Sequence, residues 1–298
     1  MFRGLAAFPL TPMNEDSIDE AAFVRLVRRL AAARVNCIGA LGSTGSYAYL
    51  TRAERARVAE IAVQNAEGIP VIVGIGALRT RDVIQLAEDA QRAGAGGVLL
   101  APVSYQKLTD DEVYGLYEAV TRSLSVPLCV YDNPGTTNFS FSDELHGRIA
   151  QLPRVLSIKI PGVPGNPADA KDRVYALRER IPQSVSIGVS GDAHAAAGLN
   201  AGCDGWYSVL AGLFPKTCMS LTSAALSGNS ELASQLSARL EPLWEMFRRF
   251  NGSIRVVATA AVLLGLASEP NLPLPMRGLD TGAARELREI LRQLELRE

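Results

Sequence analysis

A short apolar stretch in the middle of the chain has the alternating pattern of a β-strand: Val155-Leu156-Ser157-Ile158-Lys159-Ile160-Pro161-Gly162. Successive side chains of a strand point to opposite sides. Ile158 and Ile160 therefore share one side, where they would pack against helices, and Ser157 and Lys159 share the other. The stretch predicts a strand with a helix-covered outer side and a lysine on its inner side.

Similar segments recur along the chain, and a helical pattern follows each one. Eight strands are predicted, at residues 4–8, 37–41, 71–74, 97–101, 128–131, 155–159, 185–189 and 205–209. Because parallel strands need crossover helices, this alternation favours a parallel sheet. Eight units in about 225 residues fit a closed (β/α)8 barrel, the TIM-barrel fold of the α/β class. The rival architecture is an open doubly wound sheet, which usually carries a glycine-rich nucleotide loop that the sequence lacks after its early strands.

Helix signals support this division and change near residue 226. Capping-box patterns at Ser17, Thr51 and Thr109, each with a glutamate three residues later, predict helix starts. Beyond the eighth unit the pattern is helical alone, and three helices are predicted at residues 230–250, 254–266 and 282–296. We therefore expect a catalytic barrel domain over residues 1–226 and a C-terminal helical extension over residues 227–298.

Composition argues against several kinds of partner and location. The chain has 30 basic and 31 acidic residues and a net charge of −1, so it lacks the basic field that attracts nucleic acid or an anionic membrane. The four cysteines show no C-x-x-C spacing and indicate free thiols in a reducing compartment. The N-terminus has no signal-peptide pattern. The two histidines lie outside any plausible ligand cluster. We expect a cytoplasmic protein without a metal, a nucleic-acid partner or a membrane partner.

Lys159 is the first candidate for chemistry, because the active groups of such barrels lie at the carboxyl ends of the strands. A lysine in a central strand is costly unless it is paired or functional. An amine removed from water is shifted toward its neutral form, which is the nucleophile that forms an imine with a carbonyl carbon. A structural lysine paired with a carboxylate is the alternative, and position alone does not separate the two.

Two further patterns lie at the same predicted rim. The stretch Gly42-Ser43-Thr44-Gly45-Ser46 follows strand two, and its small residues would let backbone N–H groups approach an anion. A carboxylate suits it better than a phosphate, since no Gly-Lys-Ser/Thr follows; an ordinary turn is the alternative. Tyr131 ends strand five, where it would either fill the core or move protons.

The chain resembles the dihydrodipicolinate synthase / N-acetylneuraminate lyase family of class I aldolases along nearly its whole length. Each matching motif is weak alone, but their order and spacing make the set specific. Besides the Gly42–Gly45 loop, the motifs are Phe8-Pro9-Leu10-Thr11-Pro12, Tyr131-x-x-Pro134, Ile158-Lys159, Ser190-Gly191-Asp192, Gly205-x-x-Ser208-Val209, Leu264-Gly265-Leu266 and Leu272-Pro273-Leu274.

The resemblance implies a role for each residue of the site. Lys159 would attack the keto carbon of a 2-oxo acid and form a Schiff base. Ser43 and Thr44 would hold the substrate carboxylate. Tyr131, linked to the Thr44 hydroxyl, would move protons. The carbonyl of Gly191 or of its neighbours would face the bound acid.

Four positions depart from the family pattern. Family members contribute a tyrosine to the proton relay from the loop after strand four, often across a subunit boundary; Tyr105 lies in that loop without the usual tandem tyrosine. Ser46 replaces a glutamate. Thr136 stands where dihydrodipicolinate synthases carry the arginine that binds the aldehyde partner's carboxylate. Tyr207 replaces a smaller aliphatic residue and, if directed into the lumen, would narrow the substrate pocket in favour of a small or flat partner.

We predict a lysine Schiff-base lyase, an aldolase or dehydratase, that acts on pyruvate or a 2-oxo sugar acid without a cofactor. The first alternative is 4-hydroxy-tetrahydrodipicolinate synthase, which Thr136 disfavours. The second is a non-catalytic barrel that binds a 2-oxo acid, against which Lys159, Tyr131 and Thr44 argue together. By analogy with the family we expect a homo-oligomer, either a tetramer or a dimer.

Overall fold

Eight parallel strands close into a barrel in the computed structural model, which describes residues 1–296 of the chain. The strands, β1 to β8, are Gly4–Ala7, Cys37–Ala40, Val71–Gly74, Gly97–Leu100, Leu128–Tyr131, Val155–Ile160, Ser186–Ser190 and Gly205–Ser208. Each strand pairs with its neighbours in sequence, and β1 closes the barrel against β8 with Ala6 opposite Tyr207. The predicted (β/α)8 fold is confirmed, with every strand end within one residue of its expected position.

Thirteen helices are found in the described residues. Helices α1 to α9 are Glu20–Ala32, Arg52–Asn65, Thr80–Arg92, Asp110–Thr121, Pro134–Thr137, Asp143–Ala150, Pro167–Arg178, Ala195–Asn200 and Pro215–Leu226; helices α10 to α13 are Ser230–Arg239, Glu241–Arg249, Ile254–Leu263 and Thr281–Gln293. Short 3₁₀ turns occupy Tyr47–Tyr49, Asp192–His194 and Leu210–Gly212. Among the described residues, no helix has the length and apolar character needed to cross a bilayer.

Two of the three predicted capping boxes are present. Thr51 and Thr109 cap α2 and α4, each paired reciprocally with the glutamate three residues later. The prediction at Ser17 was wrong, because α1 is capped by Asp19, whose carboxylate accepts the N–H of Ala22 at 2.9 Å. Ser17 belongs to the preceding turn, where its own N–H donates to the side chain of Asn14.

The C-terminal segment has four helices in place of the three predicted. The expected helix at residues 230–250 is broken at Leu240, and Pro242 lies in the first turn of α11. Proline lacks an amide hydrogen and clashes with the carbonyl four residues earlier, so it starts a helix but does not continue one. Trp244 is buried where α11 folds back, and its indole N–H donates to the carbonyl of Ser237 at 3.0 Å. The division at residue 226 falls at the end of α9 but stays a prediction, and residues 297 and 298 of the expected extension lie outside the described residues.

The lumen is filled by a layer of mainly aromatic and apolar side chains, separate from the larger core between the strands and the helices. Glycines on the inner side make room for the rings. A Cβ atom at Gly39 would lie 2.3 Å from the ring of Phe8, and one at Gly188 would lie 2.1 Å from the ring of Tyr207. The lumen set consists of Phe2, Ala6, Phe8, Cys37, Ile72, Leu99, Ala101, Cys129, Tyr131 and Tyr207. These side chains close the barrel beneath its upper rim.

Candidate active site

Lys159 lies in the lumen near the carboxyl end of β6, with 6% of its surface exposed. Its Nζ is 3.9 Å from the ring centroid of Tyr131, 4.5 Å from that of Phe8 and 5.5 Å from that of Tyr207. Within residues 1–296 no carboxylate lies at ion-pairing distance from this amine. The alternative of a structural lysine paired with an acid therefore fails for the described part of the chain.

Neighbouring strands determine what surrounds the lysine. Lys159 is opposite Tyr131 on β5 and opposite Gly188 on β7. Because Gly188 has no side chain, the ring of Tyr207 from β8 occupies the space next to it. The backbone is tied here as well, since the N–H of Asp132 donates to the carbonyl of Lys159 at 3.0 Å. Register alone thus brings two of the three rings to the amine.

The hydroxyl of Tyr131 has two hydrogen-bond partners, Asn133 and Ser43, and Ser43 occupies the place predicted for Thr44. The amide of Asn133 donates to it at 2.8 Å, and the hydroxyl of Ser43 lies 3.3 Å away. The predicted link between Tyr131 and the Thr44 hydroxyl is not among the hydrogen bonds of the described residues. In the tight turn after β2, consecutive side chains point in different directions, and it is Ser43 that faces Tyr131.

The loop after β2 offers unused backbone donors. The N–H groups of Gly45 and Ser46 close the turn by donating to the carbonyls of Gly42 and Ser43 at 2.9 and 3.1 Å. In the described part of the chain, the N–H groups of Ser43 and Thr44 donate to no protein acceptor. Backbone donors near a buried site are rarely left unpaired unless a ligand or water takes them. Two adjacent free donors suit a carboxylate.

Tyr207 is directed into the lumen, which is the condition on which its expected narrowing of the pocket depended. Its hydroxyl contacts the Ser157 hydroxyl at 2.8 Å and the Cys129 sulfur at 3.3 Å, and Ser186 extends this chain by donating to Ser157 at 2.8 Å. Burial raises the pKa of the Tyr207 phenol well above its usual range, so the phenol keeps its proton. Ser157 precedes Lys159 by two residues on the same side of β6, and the Tyr207 ring therefore forms the floor of the site.

Three predicted residues lie farther from the amine. Thr136 is exposed on α5, where its hydroxyl is 3.5 Å from the carbonyl of Asn133. Gly191 is exposed after β7, and its carbonyl already accepts the N–H of His194 at 2.8 Å. Tyr105 is 88% exposed on the loop after β4. This chain does not bring the Tyr105 hydroxyl to its own Lys159, and a role across a subunit boundary stays a prediction.

Asp132 and His146 form a buried pair behind Tyr131 that the sequence analysis missed. The carboxylate Oδ2 is 3.6 Å from the imidazole Nε2, and the other polar atoms of both side chains lack partners. Burial raises the pKa of Asp132 to about 7 and lowers that of His146 to about 4. At pH values between these two pKa values both groups are therefore neutral.

The amine of Lys159 is buried without a carboxylate partner among residues 1–296, and such an amine is the nucleophile that lysine-dependent enzymes use to form a Schiff base. Comparison of the sequence with known families agrees with this class. The chain matches the Dihydrodipicolinate synthetase family over residues 1–294 and belongs to that family. It is thus a member of the class I, lysine-dependent lyases and synthases.

Individual relatives cover nearly all of the chain. A 4-hydroxy-tetrahydrodipicolinate synthase from Kosmotoga olearia is 31% identical over 294 residues, which cover 98% of this chain and 97% of the relative. The crystal structure of a dihydrodipicolinate synthase from Agrobacterium tumefaciens is 44% identical, covers 98% of both chains and has a TM-score of 0.94. A synthase from Acinetobacter baumannii, solved in complex with pyruvate, is 27% identical with a TM-score of 0.89, and the match covers 99% of this chain and 100% of that one.

Proposed function

We propose that the chain forms an imine between Lys159 and pyruvate or a closely related 2-oxo acid, and then makes or breaks a bond at carbon 3. The observation that carries this proposal is the unpaired, buried amine of Lys159, 3.9 Å from the ring centroid of Tyr131. The free N–H groups of Ser43 and Thr44 support it, since they offer a place for the substrate carboxylate. A barrel that only binds the acid would need no nucleophile.

The residues divide the reaction between them. The neutral amine of Lys159 adds to carbon 2, and the resulting carbinolamine loses water, so the carbonyl oxygen and two nitrogen protons leave as one water molecule. Tyr131 carries a proton to the departing oxygen, and Asn133, which donates to the phenol at 2.8 Å, holds it in position. Protonation of the imine nitrogen and loss of a proton from carbon 3 then give an enamine. In the direction of condensation the enamine carbon attacks an aldehyde, and in the direction of cleavage the broken bond at carbon 3 leaves the same enamine.

The names of the relatives favour one second substrate, the aldehyde used by 4-hydroxy-tetrahydrodipicolinate synthases. Against it, Thr136 supplies no positive charge where those enzymes are expected to bind the aldehyde's carboxylate. The floor formed by Tyr207 favours a small or flat partner. The rate of pyruvate consumption is measured with the aldehyde that these synthases use and with neutral aldehydes of similar size. Faster consumption with one of them identifies the second substrate.

Trapping with borohydride tests the imine itself. Intact mass of the wild-type protein after incubation with pyruvate and borohydride is expected to include a reduced pyruvate adduct. Lys159→Ala should lose this adduct, whereas Lys171→Ala, which removes an exposed lysine, should keep it. A wild-type protein without an adduct from pyruvate or longer 2-oxo acids would sink the proposal.

We further propose a homo-oligomer, dimer or tetramer, in the cytoplasm. The family resemblance supports the assembly, and the four cysteines, all buried and free, support a reducing compartment. Sedimentation of the purified protein tests the assembly directly. A monomer would contradict it and would also remove the predicted cross-subunit role of Tyr105.

A further inference from the structure

A proton relay needs a path from the reacting atoms to solvent, and the hydrogen bonds of Tyr131 do not complete one. Its phenol contacts Ser43 and Asn133, both of which lie at the site itself. Tyr105 is 88% exposed in this chain. A different tyrosine, Tyr47, is partly exposed to solvent.

Tyr47 follows the carboxylate loop directly and begins the short 3₁₀ turn Tyr47–Tyr49. Ser46, the residue before it, adopts a left-handed conformation with φ of 53°, which turns the chain sharply at this point. The Tyr47 ring is half-buried, and its Cε2 is 3.4 Å from where a Cβ atom on Gly76 would lie. The ring is therefore held against the end of β3, on the Tyr131 side of the barrel.

Tyr47 and Tyr131 line the same small cavity. The space inside it that the centre of a water molecule can reach is about 10 Å³, and the backbones of Gly42, Gly74 and Gly76 form part of its wall. By this measure a cavity needs about 10–15 Å³ to hold one water. The cavity is thus at the size that admits a single water between the two phenols.

A buried positive charge lies next to Tyr47. The guanidinium of Arg55 is 5.2 Å from the Tyr47 ring centroid, and 6% of the Arg55 surface is exposed. It donates to the carbonyls of Gly74 and Gly76 at 2.9 and 3.0 Å, and its Nε has no partner.

No carboxylate in residues 1–296 forms an ion pair with Arg55. Asp89, on the neighbouring helix α3, forms ion pairs with Arg52 and Arg92 instead. Ser46 contributes no charge. Burial lowers the pKa of Arg55 to about 10, so its guanidinium is charged at neutral pH.

Burial and the neighbouring Arg55 shift the pKa of Tyr47 in opposite directions. Burial, with a smaller contribution from Tyr131, raises the pKa of Tyr47 to about 12, so the phenol holds its proton at rest. Arg55 favours the negative charge that develops on the phenol oxygen when the proton is passed on. Tyr47 is thus a proton donor that is charged transiently beside a fixed cation.

We infer that Tyr47 is the next member of the proton relay behind Tyr131, supplied by the same subunit and connected to Tyr131 through one water in the cavity that they share. This inference rests on the proposed imine chemistry. In the dehydration step Tyr131 gives its proton to the departing oxygen, the water reprotonates Tyr131, and Tyr47 reprotonates the water. Tyr47 regains a proton from solvent, and the proton released from the carbinolamine nitrogen balances it.

The test measures exchange of the carbon-3 hydrogens of pyruvate in D₂O by NMR, which needs no second substrate. Tyr47→Phe keeps the ring against Gly76 and Arg55 but removes the hydroxyl. It should lower the exchange rate at saturating pyruvate about 10-fold or more. The pyruvate concentration for half-maximal exchange and the final yield of borohydride adduct should stay at wild-type values, because Lys159 and the carboxylate loop are intact.

Tyr49→Phe is the matched control, since Tyr49 lies in the same turn and is 53% exposed; its exchange rate should equal that of the wild type. Wild-type exchange in Tyr47→Phe, or a loss confined to Tyr105→Phe, would overturn the inference and leave the imine chemistry standing. A wild-type protein that forms no adduct at all would instead contradict the proposed function.

Discussion

Tyr131 is held at the site by residues on both sides of its own position in the sequence. Asn133 donates to its hydroxyl, and Asp132 ties the backbone to Lys159. The carboxyl of Asp132 turns away from the lumen toward His146 on α6, where Phe141 stacks on the imidazole with centroids 4.8 Å apart. The segment that carries the phenol is therefore packed on a buried acid–base pair.

This pair makes a prediction for the pH dependence of stability. Between pH 4 and 6.5 the native pair holds one proton, on Asp132, and the unfolded chain also holds one, on His146. The two contributions cancel, so the pair adds no slope to the free energy of unfolding in this window.

Asp132→Asn should uncover the contribution of His146. The pKa of His146 is lowered in the native state. The unfolded state therefore binds one more proton than the native state in this pH window, and the free energy of unfolding rises with pH. Relative to the wild type, the variant should gain about 3 kcal/mol between pH 4 and 6.5, at roughly 1.4 kcal/mol per pH unit. Urea unfolding at several pH values measures this. Curves of unfolding free energy against pH that run parallel for the two proteins would contradict the prediction. The charged neighbours Asp143 and Arg173 are the same in both proteins, so they do not cause a difference.

Residue identities at the site were only partly predictable. Lysine inside a strand is rare enough for Lys159 to stand out, whereas the direction of the Tyr207 side chain was left open. The sequence could not decide whether Ser43 or Thr44 would meet Tyr131, because that depends on the dihedral angles of one turn. Asp132 and His146 were missed since their contact depends on where α6 packs on the barrel, which the local pattern does not contain.

Helix ends show where element-level signals compete. Asp19 and Ser17 both precede α1, and only Asp19 has its side chain at the position that accepts the N–H of Ala22. Asp19→Ala should lower the free energy of unfolding by about 1 kcal/mol, because a cap is lost. Ser17→Ala should leave it nearly unchanged. Chemical denaturation compares the two, and equal losses would show that Ser17 acts as a cap after all.

Hydrophobic periodicity predicted where the helices and strands lie better than it predicted where a helix is interrupted. All eight strands were found because short apolar runs recur at regular intervals between helical patterns. The interruption between α10 and α11 was overlooked, although Pro242 marks it, because apolar residues continue with helical spacing on both sides. A hydrophobic pattern records which face is buried and carries little information on whether the backbone is continuous.

At the scale of the whole molecule, the barrel depends on rings that fit over glycines. The Tyr207 ring is fixed by its hydroxyl contacts to Ser157 and Cys129, so it cannot move aside for a methyl group at Gly188. Gly188→Ala should therefore destabilise the protein by about 1–3 kcal/mol. Gly115→Ala is the control, because Gly115 lies in the exposed interior of α4 with nothing near its Cβ position and should stabilise by about 0.5–1 kcal/mol. Thermal unfolding of both variants measures the contrast; an unaffected Gly188→Ala protein would show that the lumen is loosely packed.

The central claim is that Lys159 and the carboxylate loop act on one 2-oxo acid. A crystal structure after incubation with pyruvate tests it most directly. We predict a covalent bond from Nζ of Lys159 to carbon 2 of pyruvate, with the carboxylate about 2.7–3.2 Å from the N–H groups of Ser43 and Thr44. Pyruvate bound without that bond, or attached to Lys159 with its carboxylate turned away from the loop, would contradict the account.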